Sequence, residues 1–109
     1  MGLRVLVIAL WAAVAWGGQA AAQDQAWVQI EAQPSLAEAQ DRARAYAALF
    51  ADVAGFRVSS GWYAIVLGPY PRDDAAARLA ALKQEGMIPQ DSFLSDAGKL
   101  GAQFWPESG

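Results

Sequence analysis

Hydrophobic and polar positions change their period several times along this chain. Residues 26–32 alternate, with Val28 and Ile30 on one side and Trp27, Gln29 and Glu31 on the other. That period of two predicts a strand, ended by Pro34. Ser35-Leu36-Ala37-Glu38 then has the form of a capping box, in which serine and glutamate satisfy each other's end of a new helix. From there to Ala54, the residues Leu36, Ala39, Ala43, Ala47, Phe50 and Val53 make an apolar stripe at helical spacing, with Gly55 as its C-terminal stop. Phe56-Arg57-Val58-Ser59 alternates again, and Ser60-Gly61 signals a tight turn. Trp62 to Gly68 is the most strand-like stretch, expected to close at Pro69 and Pro71 because proline cannot donate to a ladder. Asp73 or Asp74 is the expected cap of a second, alanine-rich helix that turns Leu79 and Leu82 inward and ends at Gly86. Ser92-Phe93-Leu94 reads as a last short strand.

The order β-α-β-β-α-β predicts an α+β fold of the ferredoxin-like type: a four-stranded antiparallel sheet with two helices on one face. Val28, Ile30, Phe56, Val58, Tyr63, Ile65 and Leu67 are the expected helix-covered side of that sheet. The first and third strands lie at its centre in this topology. Their outward residues, Trp27, Gln29 and Glu31 with Trp62, Ala64 and Val66, then form an open face carrying two tryptophans.

The N-terminal stretch changes the picture of where the protein works. Met1-Gly2-Leu3-Arg4 supplies one positive charge, Val5 to Trp16 is uninterrupted apolar sequence, and Ala20-Ala21-Ala22 follows a Gly-Gly-Gln break. This is the layout of a secretory signal with cleavage near Ala22-Gln23, and the apolar run is short of the roughly 20 residues that span a bilayer. The expected organisation is a signal peptide over 1–22, a domain over 23–95 and a C-terminal tail over 96–109. A periplasmic or secreted location follows, with no stable membrane anchor after cleavage. Loss of the leader removes Arg4 and leaves a net charge of −4. An acidic chain argues against nucleic acid, whose phosphates need a basic face, although RNA-binding sheets share this topology. The chain has no cysteine, so one hydrophobic core must hold the domain without disulfides.

Several stretches of the chain together resemble the SPOR domain family. They are Trp27-Val28-Gln29-Ile30, the alanine-spaced first helix, Gly55-Phe56-Arg57-Val58, and Gly61-Trp62-Tyr63-Ala64-Ile65-Val66-Leu67-Gly68-Pro69-Tyr70. The resemblance runs from Trp27 to Leu94 and implies a module that binds peptidoglycan glycan strands stripped of their stem peptides, through the open sheet face. It also implies a cell-envelope role at sites of division and no enzyme activity within the domain. Gln29 matches the glutamine of the family's first strand, and Trp62 an aromatic-favouring position at the start of the third. The chain departs from the family at Glu31-Ala32, where a small polar pair is usual, and at Ala64 and Val66, where arginine or lysine is favoured. Glu31 on the open face, with no basic residue beside it, would weaken binding to an anionic polymer. Arg57 is the remaining candidate cation there.

Trp27, Gln29, Arg57 and Trp62 are therefore the candidate ligand-binding residues. The tryptophans suit stacking on sugar rings and Gln29 suits hydrogen bonding to hydroxyls. Equally, the tail with Phe104-Trp105-Pro106 is sticky enough to fold across the sheet and cover them. Asp73-Asp74 is explained by helix capping rather than by a metal, and Arg42, Arg44 and Arg78 by solvated helix faces. Without histidine or cysteine the usual nucleophile–base and metal-ligand sets are missing, and Glu31 has no visible carboxylate partner for glycoside hydrolysis. Neither a cofactor nor a catalytic site is expected. The alternative to glycan binding is a periplasmic interaction module that keeps the fold and recognises another envelope protein.

Overall fold

The computed structural model describes residues 24–107, so the expected leader over 1–22 lies outside the described residues. Strand β1 (Gln25–Gln33) leads into helix α1 (Leu36–Ala47), then β2 (Val53–Val58), β3 (Tyr63–Pro71), helix α2 (Arg72–Gln84), β4 (Phe93–Ser95), a single 3-10 turn (Ala97–Lys99) and β5 (Leu100–Trp105). The sheet order is β4-β1-β3-β2-β5, with every pair of neighbours antiparallel. The first four strands take the expected arrangement, with β1 and β3 central. The fifth corrects it: six residues of the expected tail extend the sheet along the β2 edge.

Local signals explain the helix ends. Ser35 Oγ accepts the Glu38 backbone N–H at 3.2 Å and caps α1. The helix then stops at Ala47 rather than near Gly55, because Val53, Ala54 and Gly55 pair with Leu67, Val66 and Ile65 in the sheet. Phe50 and Val53 still reach the core from the turn and the strand. Neither Asp73 nor Asp74 caps α2: the helix starts at Arg72, directly after Pro71, and both carboxylates sit in its first turn near the positive end of the helix dipole. Its far end is closed as expected by Gly86, at φ +71°. There the Met87 N–H donates to the Leu82 carbonyl (3.0 Å) and the Gly86 N–H to that of Lys83 (3.1 Å).

Strand β3 does not close at its prolines. Ala26 pairs with Tyr70 and Val28 with Leu67, so β3 has one extra residue between these pairs, and Gly68-Pro69 falls in the irregularity. A missing N–H is tolerated at a bulge, and pairing resumes through Tyr70 and Pro71.

The main core lies between the helices and one side of the sheet: Val28, Ile30, Ile65 and Leu67 from the central strands, Tyr46, Phe50 and Val53, and Leu82 and Ile88. A second, smaller cluster of Ala54, Ala64 and Val66 occupies the other side, packed by Trp27, Phe56, Val58 and Leu100. Phe56 and Val58 are thus on the open face, the reverse of the expected assignment. The strand begins at Val53, whose side chain belongs to the main core, and alternation from there carries Phe56 opposite Ala64 and Arg57 opposite Tyr63.

Strand β5 pairs irregularly with β2, joining Trp105 to Gly55, Gln103 to Phe56 and Leu100 to Val58. The slip between the first two pairs leaves both Phe104 and Trp105 packed against the main core. The Phe104 ring lies over Gly55, where a Cβ would come within 2.3 Å of its Cζ, and meets the Tyr63 ring edge-on at 5.7 Å. The Arg44 guanidinium sits over the Trp105 ring at 5.6 Å and pairs with Glu107 at 3.4 Å. The tail is therefore held in the plane of the sheet and on its helix side, and does not cover the open face. Replacing Gly55 by valine should expel the Phe104 ring and destabilise the fold by about 1–3 kcal/mol, the usual range for overpacking. Denaturant unfolding checks the stability loss, and limited proteolysis should find new cleavage near β5.

Candidate functional site

The open face is built in cross-strand rows. Phe93 of β4 lies opposite Gln29 of β1, Gln29 opposite Val66 of β3, and Val66 opposite Ala54 of β2. A second row runs Ala32, Ala64, Phe56, Gln103. Trp27, paired with Ser95, leans across between these rows, its ring 5.0 Å from that of Phe56 at an interplanar angle of 73°. Beneath the two rings Ala64 and Val66 are fully buried although no helix covers them. Trp62 precedes β3 at the same parity as Ala64, and its carbonyl accepts the Val58 N–H at 2.9 Å. Trp62 and Phe93 are the two half-exposed aromatics at opposite margins of this face, 46% and 50% accessible.

The pairing of β1 with β4 stops at Gln29, while β1 runs on to Gln33. A groove of about 250 Å³ opens at this step, lined by Gln29, Ile30, Glu31, Ala32, Asp91 and Phe93.

A family model described as the SPOR domain matches residues 22–90, which take in both helices and strands β1, β2 and β3. The chain belongs to the SPOR domain family. SPOR domains are peptidoglycan-binding modules found in bacterial envelope proteins, and the family is one of binding domains rather than catalysts. Searches of curated proteins and of solved structures returned no match. Among the described residues of this SPOR domain, no helix is long and apolar enough to cross a membrane.

Of the four residues singled out from the sequence, the fold brings Trp27, Gln29 and Trp62 to the open face. Arg57 is not with them. It stands opposite Tyr63, its guanidinium 5.9 Å from that ring, on the side of the sheet that carries the helices. Glu31 is also turned away from where alternation placed it. Gln29 pairs with Val66 and Glu31 with Ile65, so β1 holds an extra residue here, and the side chains of both Ile30 and Glu31 go to the helix side.

There the Glu31 carboxylate is enclosed by donors. The Arg42 guanidinium donates through Nε (3.0 Å) and Nη2 (2.6 Å), the Tyr46 hydroxyl at 2.5 Å and Gln33 Nε2 at 3.0 Å. Burial pulls the Glu31 carboxyl up, but the hydrogen bonds from Arg42, Tyr46 and Gln33 outweigh it and hold the group below the usual carboxylate range. Arg78, partly buried, is engaged as well: its Nε donates to the Tyr70 hydroxyl at 3.4 Å, and that hydroxyl donates to Asp52. Burial, followed by the bond to Asp52, pushes the Tyr70 phenol up to about 12. Sequence reasoning missed Phe56, for want of the phase of β2, and Phe93, whose three-residue strand is too short to show an alternation of its own.

A depressed Glu31 pKa means that its contribution to stability is complete above about pH 4.5 and is lost as pH falls through the lower folded value. Glu31→Gln should therefore cost about 1 kcal/mol at neutral pH, a charged hydrogen-bond network discounted for the exposure of Arg42. The difference between variant and parent should shrink in acid melts as the pH falls through the depressed folded value, where the parent carboxyl itself becomes protonated.

Proposed function

We propose that this SPOR domain binds the glycan strands of peptidoglycan on its open sheet face, with Trp27, Gln29 and Trp62 in contact and Phe93 and Phe56 completing the surface. The observation that carries the reading is the placing of two half-exposed aromatics, Trp62 and Phe93, at the margins of a face whose floor holds Gln29. Sugar rings present apolar C–H faces that stack on aromatic side chains, and the amide of Gln29 both donates and accepts toward hydroxyl and acetamido groups. The secretory pattern of residues 1–22 supports export to the compartment where this polymer lies.

The mode of binding differs from charge recognition. Arg42, Arg44, Arg72 and Arg78 are each engaged on the helix side or at the sheet ends, and Arg57 lies across the sheet from Gln29. Among the described residues, no arginine therefore stands on the open face to meet the lactyl carboxylates exposed on stripped strands. Stacking and neutral hydrogen bonds carry the affinity in this reading, so it depends little on salt. The exposed rings of Trp62 and Phe93 also favour one second reading, an interaction module for another envelope protein that has given up the glycan.

Co-sedimentation with purified sacculi, before and after amidase treatment, tests the two. Glycan binding predicts retention on sacculi, and no retention on either preparation would leave the protein-partner reading. Trp62→Ala should weaken retention about 3- to 10-fold, the scale of one lost aromatic stack, whereas Arg57→Ala should change it little. On stripped, fully acetylated strands, which carry no amine, raising the salt from 50 to 300 mM should shift the parent affinity by less than about twofold, as befits a contact without ion pairs.

A further inference from the structure

We propose that the groove beside Gln29 receives an ammonium group carried on the wall polymer, next to a sugar ring stacked on Phe93. This rests on the glycan reading and names the chemistry that one part of the face selects. Two carboxylates line the groove, Glu31 and Asp91. Glu31 is neutralised by the bidentate Arg42 contact and turned to the helix side. Asp91 is exposed and, among the described residues, makes no salt bridge and no side-chain hydrogen bond. The unspent charge at this end of the open face is therefore negative.

The remaining lining fits the same ligand. Phe93 is half exposed and faces the same way as Gln29, with which it is directly paired. The edge of β1 beyond Gln29 has no β4 partner, so backbone groups of residues 30–33 on that side are open to a ligand's hydroxyls. A volume of about 250 Å³ is of the order of a single sugar ring, too small for an extended polymer segment. An aromatic platform, a neutral amide and one unpaired carboxylate together suit a ring bearing a primary ammonium. A carboxylate-bearing ring is disfavoured there by repulsion from Asp91.

The wall polymer carries such a group in two places: on amino sugars that have lost their acetyl group, and as free amines of stem peptides. Equilibrium binding of the purified protein to three soluble strand preparations separates them: stripped and fully acetylated, stripped and de-N-acetylated, and acetylated with stem peptides retained. Tighter binding to the second than to the first, by about two- to fivefold as for an exposed ion pair, assigns the groove to the sugar amine. The same gain on the third preparation assigns it to the stem-peptide amine. In either case Asp91→Asn must abolish the gain, and Asp91→Lys should reverse the order in favour of the stripped, acetylated strands and their carboxylates. Asp91 has no structural partner to lose, so both variants should melt like the parent. Equal binding to all three preparations, or a gain that survives Asp91→Asn, overturns the proposal while leaving glycan binding intact. Absence of binding to every preparation overturns both.

Discussion

The register of β1 against β3 decides which side chains meet the helices and which meet the solvent, because side chains alternate across a sheet and one extra residue exchanges the faces of everything beyond it. That register slips twice. The first slip is on β3 and absorbs Gly68-Pro69, which returns Tyr70 to the helix side, where its hydroxyl meets Asp52 and Arg78. The second is on β1 at Ile30 and Glu31, and it sends a carboxylate under α1. Without it Glu31 would stand beside Gln29 on the open face, far from Arg42 and Tyr46. The same irregularity thus supplies the polar anchor of α1 and clears a charge from the candidate binding surface.

Tyr46 and Tyr70 carry hydroxyls that need partners once their rings pack on the helix side, and each is answered by an acid and an arginine. Arg44 is taken up by Trp105 and Glu107, and Arg72 by Asp24 and Asp96. The arginines of this domain are therefore largely committed to holding helices and strand ends in place. What the open face offers instead is rings and an amide, with Trp27 and Phe56 filling the space over Val66 and Ala64. A surface of that kind recognises the shape and apolar faces of a sugar before its charge.

Four strands, two helices and their order were legible because each is marked locally: alternation at Trp27 to Ile30, Ser35 before α1, Gly86 after α2. The phase of β2 was not. Phe56-Arg57-Val58-Ser59 alternates equally well either way, and the residues that fix it, Val53 to Gly55, also satisfy the helical stripe that precedes them. Pairing with Leu67, Val66 and Ile65 outweighed the helical period, and Arg57 moved to the other side with it. Of the candidate site, Trp27, Gln29 and Trp62 were readable because they flank strongly patterned core residues. The slip at Glu31 was not, since neither glycine nor proline marks it. Strand β5 was hidden for a related reason: its two irregularities place Phe104 and Trp105 on one side, and Gly98 and Gly101 give the segment the look of a linker.

The hidden strand is nevertheless what leaves the open face available. Without β5, the edge of β2 would present a row of unpaired N–H and C=O groups, an invitation to pairing with another chain. Covering that edge requires the tail to run alongside β2, and running there commits its aromatics. Phe104 can bring the far end of its ring over residue 55 only because that residue is glycine, and from that seat its ring meets Tyr63, while Trp105 reaches Arg44. A tail anchored at these two points cannot also lie over Trp27 and Trp62. Edge protection and site exposure are therefore met by one device, and its key is the missing Cβ at Gly55. The open face stays open because the tail's aromatics have better partners on the opposite side of the sheet.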